Sequence, residues 1–394
     1  MRCAFAVSAV GAATAWAQGV EQPQPDMGVV FVRPLLAESG KGRNDASPSW
    51  APGGKLIAFE RAEESRREIV IARADGSTVK TVYYQTDEDD LGLGALLPGL
   101  GKAASYNSGI SWSPAADRFI FMSNAGEGNY DLYLGTLGGK AVQRLTRDPQ
   151  KDGQPDWSPS GASVVFVSGR SGGAQLYQMD MAGLQARRIS NGENSYLYPR
   201  WSPDSQRIAA IYGANENHDI VLLDAPMPAK KTEKQSAPEA IVKALPQRSL
   251  TTWSHDDLSP SWSPDGKRVA FYSNYNPQND PKIWSLLVVK ADGSDPTEGE
   301  RLGERVVAFN VIPDVSLGPA WLPDSKRIAY ARNDKHDFSP IYIVNVDTRK
   351  AVRLETGTNI NHDLTISSEG VLAFRAQVDQ WDQIFLAALP GDTE

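Results

Sequence analysis

One short motif recurs along the whole chain. Trp50-Ala51-Pro52-Gly53-Gly54 is followed by Trp112-Ser113-Pro114, Trp157-Ser158-Pro159 and Trp201-Ser202-Pro203-Asp204-Ser205. Trp262-Ser263-Pro264-Asp265-Gly266 and Trp321-Leu322-Pro323-Asp324-Ser325 continue the series. Two of the intervals are about 44 residues and three are about 60, and a recurrence near 44 is the period of a propeller blade. A seventh copy, Ile366-Ser367-Ser368-Glu369-Gly370, carries Ile in place of Trp. The repeat therefore accounts for six of the ten Trp residues and for most of the 394-residue chain.

Each unit reads as four short strands, here called a to d. Strand a ends at the Trp, and the Pro-Asp-Gly type of tetrad that follows makes a tight turn. Strand b is apolar, as in Arg268-Val269-Ala270-Phe271 and Arg327-Ile328-Ala329-Tyr330. Strand c recurs as Asp131-Leu132-Tyr133-Leu134 and Asp219-Ile220-Val221-Leu222, and strand d as Gln143-Arg144-Leu145-Thr146. Helical periodicity is absent. A single four-stranded sheet cannot bury both faces, whereas units arranged around an axis bury each face against a neighbour. The chain is thus expected to be an all-β, seven-bladed propeller, with six blades as the alternative.

The last unit supplies strands a, b and c, and its missing strand d has a candidate at the other terminus. Val29-Val30-Phe31-Val32, with Arg33-Pro34-Leu35, is predicted to complete the seventh blade. The long intervals mark insertions at residues 87–104, 226–246 and 295–305. Residues 1–17 carry Arg2, a small apolar stretch and Ala15-Trp16-Ala17, which reads as a secretory signal. Residues 18–27 are expected to be a flexible segment and 28–390 one propeller domain. A soluble periplasmic or secreted protein follows, monomeric and without a membrane span.

Charge and cysteine content narrow the function. One Cys excludes a disulfide framework and every multi-cysteine metal site. The formal net charge of −8 argues against a general nucleic-acid binder, which presents a basic surface.

The run Asp257-Leu258-Ser259-Pro260-Ser261-Trp262-Ser263-Pro264-Asp265-Gly266-Lys267-Arg268-Val269-Ala270-Phe271 resembles the TolB-type propeller repeat, as do Asp131-Leu132-Tyr133 and Arg144-Leu145-Thr146. That repeat occurs in periplasmic Tol–Pal proteins, in peptidase propellers and in sugar-acid lyases, so the resemblance implies a fold more firmly than an activity. TolB itself adds an N-terminal α/β domain to which nothing in these residues corresponds.

Candidate site residues come from the position five before the motif Trp, which is polar in every unit: Asp45, Asn107, Asp152, Tyr196, Asp257, Ser316 and Asn361. Residues in d–a connections approach the central channel, where such a ring would offer oxygen ligands to a divalent cation or to donors on a peptide. The structural alternative is that each side chain holds its own turn together. His218, His255, His336 and His362 fall in b–c or d–a connections of the same face. His255 with Asp256 and Asp257, and His362 with Asp363, are the local metal candidates, on the precedent of oligogalacturonate lyases. Trp253 beside His255 could stack on a sugar or anchor a partner side chain, or pack against the next blade. Gly169-Arg170-Ser171-Gly172-Gly173 matches a nucleophile-elbow pattern, but it lies between two blade strands rather than before a helix. The reading is a non-enzymatic propeller that binds a protein or peptide of the cell envelope at its channel mouth. The alternative is a metal-dependent lyase acting on acidic oligosaccharide.

Overall fold

The computed structural model describes residues 24–27, 30–36, 42–63, 66–82, 107–125, 129–139, 142–190, 193–214, 217–225, 245, 247–276, 278, 280–295, 299–334 and 338–389. Seven separate sheets form, in chain order, with the a-b-c-d strand order predicted for blades. Strands a of blades one to five are Arg43–Trp50, Asn107–Trp112, Asp152–Trp157, Ser195–Trp201 and Asp257–Trp262. Blade six begins at Ala320–Trp321 and blade seven at Asn361–Ile366. The insertion at 295–305 contains a 3-10 segment, Gly299–Arg305. The predicted signal at 1–17 and the insertion at 87–104 lie outside the described residues, as does that at 226–246 except for Leu245.

The turn after each Trp follows from its sequence. In blade five Gly266 N donates to Ser263 O at 2.8 Å, and Asp265 accepts from Lys267 N and Ser263 Oγ. The fourth turn residue has φ near +60° in several blades, adopted by Gly266 and at some cost by Ser205 and Ser325.

The apolar core is divided among the seams between blades. Seven buried clusters are present, and each is shared by two neighbouring sheets. The motif Trp residues sit in these seams: Trp112, Trp157, Trp201, Trp262 and Trp321 are all buried. Their indoles also clamp consecutive blades. Trp112, Trp262 and Trp321 donate Nε1–H to Ser49 O, Arg200 O and Ser261 O, each the residue just before the previous blade's Trp. Three of the indoles also lie beside a guanidinium from the previous blade's strand b. Arg118 covers Trp157 at 5.2 Å, Arg207 covers Trp262 at 4.9 Å and Arg268 covers Trp321 at 5.7 Å.

Two strands precede blade one. β1 (Gln24–Met27) runs parallel to Ala351–Leu354 and makes blade six five-stranded. The sequence suggested a flexible segment here. Pairing with an outer edge draws on backbone groups alone, so it leaves no side-chain pattern to read. β2 (Val32–Pro34) pairs antiparallel with Trp381–Ala388, Val32 facing Ala387 and Pro34 facing Phe385. Leu35 N donates to Ile384 O at 2.7 Å, and the buried Leu35 side chain joins Ile57 and Phe59 of blade one to Ala373 and Leu386 of blade seven. The N-terminal strand thus closes a ring of seven blades, as the sequence predicts. Gly76, at φ +95°, marks how tightly the strand passes blade one, because a Cβ there would lie 2.5 Å from Leu35 O.

Candidate functional site

Each innermost strand carries one backbone feature that the repeat does not advertise. The residue three before the motif Trp or Ile has a left-handed φ in every blade: Ser47, Gly109, Gln154, Tyr198, Ser259, Gly318 and Asp363. The ladder register slips at this point, as between Leu258 and Ser261 and between His362 and Thr365. Such a bulge bends the strand and re-aims its side chains. Neighbouring blades use the bulge amides as latches. Ser47 N donates to Asp363 Oδ2 at 3.0 Å, Gly109 N to Glu60 Oε1 at 3.2 Å and Tyr198 N to Gln154 Oε1 at 2.7 Å. Gly318 packs so closely on blade five that a Cβ would meet Ser259 O at 2.9 Å.

A cavity of about 300 Å³ is built on this bulge ring. Blade four gives it Tyr198 and blade five Tyr272. The connection from blade five to six gives it Asp314, Val315 and Ser316, and blade seven gives His362, Asp363 and Arg375. Arg375 Nε lies 3.0 Å from Asp363 Oδ2, and Asp382 holds the guanidinium from the other side at 3.2 Å. Asp314 Oδ1 accepts from the amides of Ser316 and Leu317, whereas its Oδ2 is buried without a partner. Burial, and then the nearby Asp363 carboxylate, raise the Asp314 pKa above the ordinary carboxylate value. Burial raises the phenol pKa values of Tyr198 and Tyr272 as well. The His362 imidazole is held below its usual pKa by burial and by Arg375. Val315 and Ser316 are exposed. The cavity therefore offers a buried acid, a guanidinium and neutral donors, a set suited to polar and charged groups of a ligand.

The predicted site residues divide into three groups. Ser316 and His362 line this cavity. Asn107, Asp152, Asp257 and Asn361 open their strands, Asp45 and Tyr196 stand near the start of theirs, and all six are buried. Arg61 grips Asp45 through two bonds of 2.7 and 2.8 Å. Asn107 donates to Arg67 O at 2.8 Å, Asp152 accepts from Arg170 at 2.7 Å, Tyr196 Oη donates to Gln247 Oε1, and Asn361 donates to Ser339 O at 2.8 Å. Trp253 stacks on Phe271 with centroids 6.2 Å apart, and the half-buried His255 meets the edge of Tyr275. His218 Nδ1 lies 2.5 Å from Asp256 Oδ1, and His336 lies outside the described residues. Among the described residues no group of three or more His, Cys, Asp or Glu is placed to hold a metal. The lining residues that sequence reasoning missed include Tyr198, Tyr272, Asp314 and Arg375, whereas Asp363 is named from the sequence, beside His362, as a metal candidate. Tyr198 and Asp363 share one backbone position, the bulge, which has a common conformation and no residue type. Gly169–Gly173 forms a turn, with Gly172 N donating to Gly169 O.

No helix among the described residues is long and apolar enough to cross a membrane. Residues 99–238 match the family described as TolB beta propeller domain. An uncharacterized peptidase, YuxL, of Bacillus subtilis is 27% identical over 161 aligned positions, a match that covers 34% of this chain and 24% of that protein. The Tol-Pal system protein TolB of Francisella tularensis is 23% identical over 265 aligned positions, a match that covers 59% of this chain and 57% of that protein. The chain therefore spans less than two thirds of either relative. Among solved structures, oligogalacturonate lyase of Vibrio parahaemolyticus superposes with a TM-score of 0.60 at 11% identity, covering 93% of this chain and 99% of that one. A puromycin-hydrolyzing peptidase of Mycobacterium tuberculosis gives 0.57 at 13% identity, over 90% and 52% of the two chains. At such identities the likeness to both structures is one of fold. The repeat and the seven-sheet ring agree with the family match: over residues 99–238 this chain is similar to the TolB beta propeller domain.

Proposed function

We propose that this propeller is an exported, non-enzymatic binding module that holds a protein or peptide of the cell envelope at its axial cavity. The observation that carries the reading is the cavity's composition. Asp314, Asp363 and Arg375 sit with two phenols in about 300 Å³, beside the exposed Val315 and Ser316. That volume is at the small end for ligand pockets, and it suits one or two partner side chains anchored below a wider surface contact. Arg375 would pair with a partner carboxylate, and the free Asp314 oxygen would accept from a partner N–H. The relative named as a Tol-Pal system protein supports an envelope setting, and the leader-like residues 1–17 support export.

Capture from the cell's own envelope extract tests the reading. The wild-type chain should retain a partner that an Asp314→Asn/Arg375→Ala double variant loses. Equal retention by both would remove the axial cavity from the interface. A lyase would instead raise ultraviolet absorbance with uronic-acid oligomers, and such activity would overturn the non-enzymatic reading.

A further inference from the structure

Two of the seams hold a matched pair of acids, one from strand c of a blade and one opening strand a of the next. At the seam of blades two and three the pair is Asp131 and Asp152, and at the seam of blades four and five it is Asp219 and Asp257. The positions correspond in the ladders: Asp131 faces Ser123 and Asp219 faces Tyr212, while Asp152 faces Ser168 and Asp257 faces Ser273. They correspond in strand d too. Thr146 Oγ1 bridges Asp131 and Leu132 N, just as Thr251 Oγ1 bridges Asp219 and Ile220 N.

The difference lies in the counter-charge. Asp131 is held by Arg144 at 2.5 Å and Asp152 by Arg170 at 2.7 Å. Two residues before Thr251, where Arg144 would stand, is Ser249; two after Ser273, where Arg170 would stand, is Tyr275. Even the ring beneath is re-used: Arg170 lies 5.8 Å over Phe166, and Trp253 takes that place over Phe271. Arg248 is turned away toward Ala291 O and Asp292 O, and His218 is engaged by Asp256. Asp257 is fully buried, yet neither of its oxygens makes a hydrogen bond of good geometry, although Ser273, Thr251 and Trp253 flank it. A buried carboxylate left in this way is costly unless a cation or proton completes it.

We propose that the seam of blades four and five takes a hard divalent cation of the calcium class between Asp219 and Asp257, in the place that guanidinium groups fill between blades two and three. Two carboxylates with the hydroxyls of Thr251 and Ser273 form an all-oxygen donor set, the kind such ions select. Asp219 is only half-buried and gives the ion a way in.

The purified full chain tests this directly. At about pH 8, about 1 mM calcium should raise the melting temperature by about 3 °C over EDTA. Terbium should give luminescence sensitised by Trp253 that calcium quenches. Asp219→Asn and Asp257→Asn should each abolish the calcium shift, and Tyr275→Arg should replace the ion and abolish it while the fold persists. Asp152→Asn should retain it. Trp253→Phe should keep the shift and lose most of the terbium signal. Equal melting in calcium and EDTA would show that a proton completes the pair and would overturn the proposal. So would a full calcium shift in both Asn variants, since the ion would then bind elsewhere.

Discussion

Truncating one side chain outside the repeats, Leu35→Ala, should loosen the whole ring. Leu35 is 2% exposed and stands between blades seven and one, packed with Ile57, Phe59, Ile384 and Leu386. Removing a buried Leu side chain in such a setting costs about 2–5 kcal/mol, the cavity adding to the lost transfer energy. The surroundings argue against collapse into the gap. The Leu35 amide is fixed to Ile384 O at 2.7 Å and its carbonyl runs against Gly76. Arg33 also holds Ala74 O in the same turn of blade one. A value of about 3 kcal/mol is expected. Deleting residues 18–36 should cost more, since it removes a strand from blade seven and opens the edge of Trp381–Ala388. Urea unfolding followed by tryptophan fluorescence measures both. A loss below about 1 kcal/mol for Leu35→Ala, or unchanged unfolding on deletion, would refute closure by β2.

Further outcomes follow from the seams. Trp201→Ala should cost about 3–5 kcal/mol in urea unfolding, as for a buried large aromatic, and a loss below about 1 kcal/mol would mean that the seam does not need it. Arg268→Met should cost about 1–2 kcal/mol by removing the cation over Trp321 and the bonds to Ser325 O and Asp347; an unaltered midpoint would dismiss the stack. In EDTA the raised pKa of Asp257, about 8 against about 4 unfolded, means the native state alone keeps its proton between those values. Its stabilising contribution is complete below about pH 4 and is lost as pH rises to about 8. Asp257→Asn should flatten that decline, and parallel melting profiles for variant and wild type would contradict the assignment.

The fold was legible because its turns are chemical. Ser263-Pro264-Asp265-Gly266 specifies a turn by the bonds that Asp265 makes locally, and the neighbouring Trp262 has only one buried place to go. Ring closure was legible for the same reason, since β2 has apolar residues and a partner-short blade to join. The path of Gln24–Met27 was not, because an edge strand can form from backbone groups without a side-chain pattern. The candidate site was half legible. Polar residues five before the Trp suggested a channel ring, yet Asp45 and Asp152 are consumed by Arg61 and Arg170 from their own blades. Of the other residues that line the cavity, Tyr198 and Asp363 lie two positions on, Tyr272 and Arg375 stand in strands b, and Asp314 lies in the irregular stretch between blades five and six. A bulge can be built on Ser47, Gln154, Tyr198 or Asp363 alike, so no residue type announces it.

The functional claim rests on which end of the ring meets a partner, and site-specific photocrosslinking reads that end. A benzophenone amino acid at Val315, exposed at the axial cavity, would be compared with one at Asp292, exposed in the blade-five c–d turn. In native envelope extract a discrete crosslinked product is expected from position 315, lost when Asp314→Asn and Arg375→Ala are added, and none from position 292. A product from 292 alone, or one from 315 that survives the double variant, would contradict the functional claim.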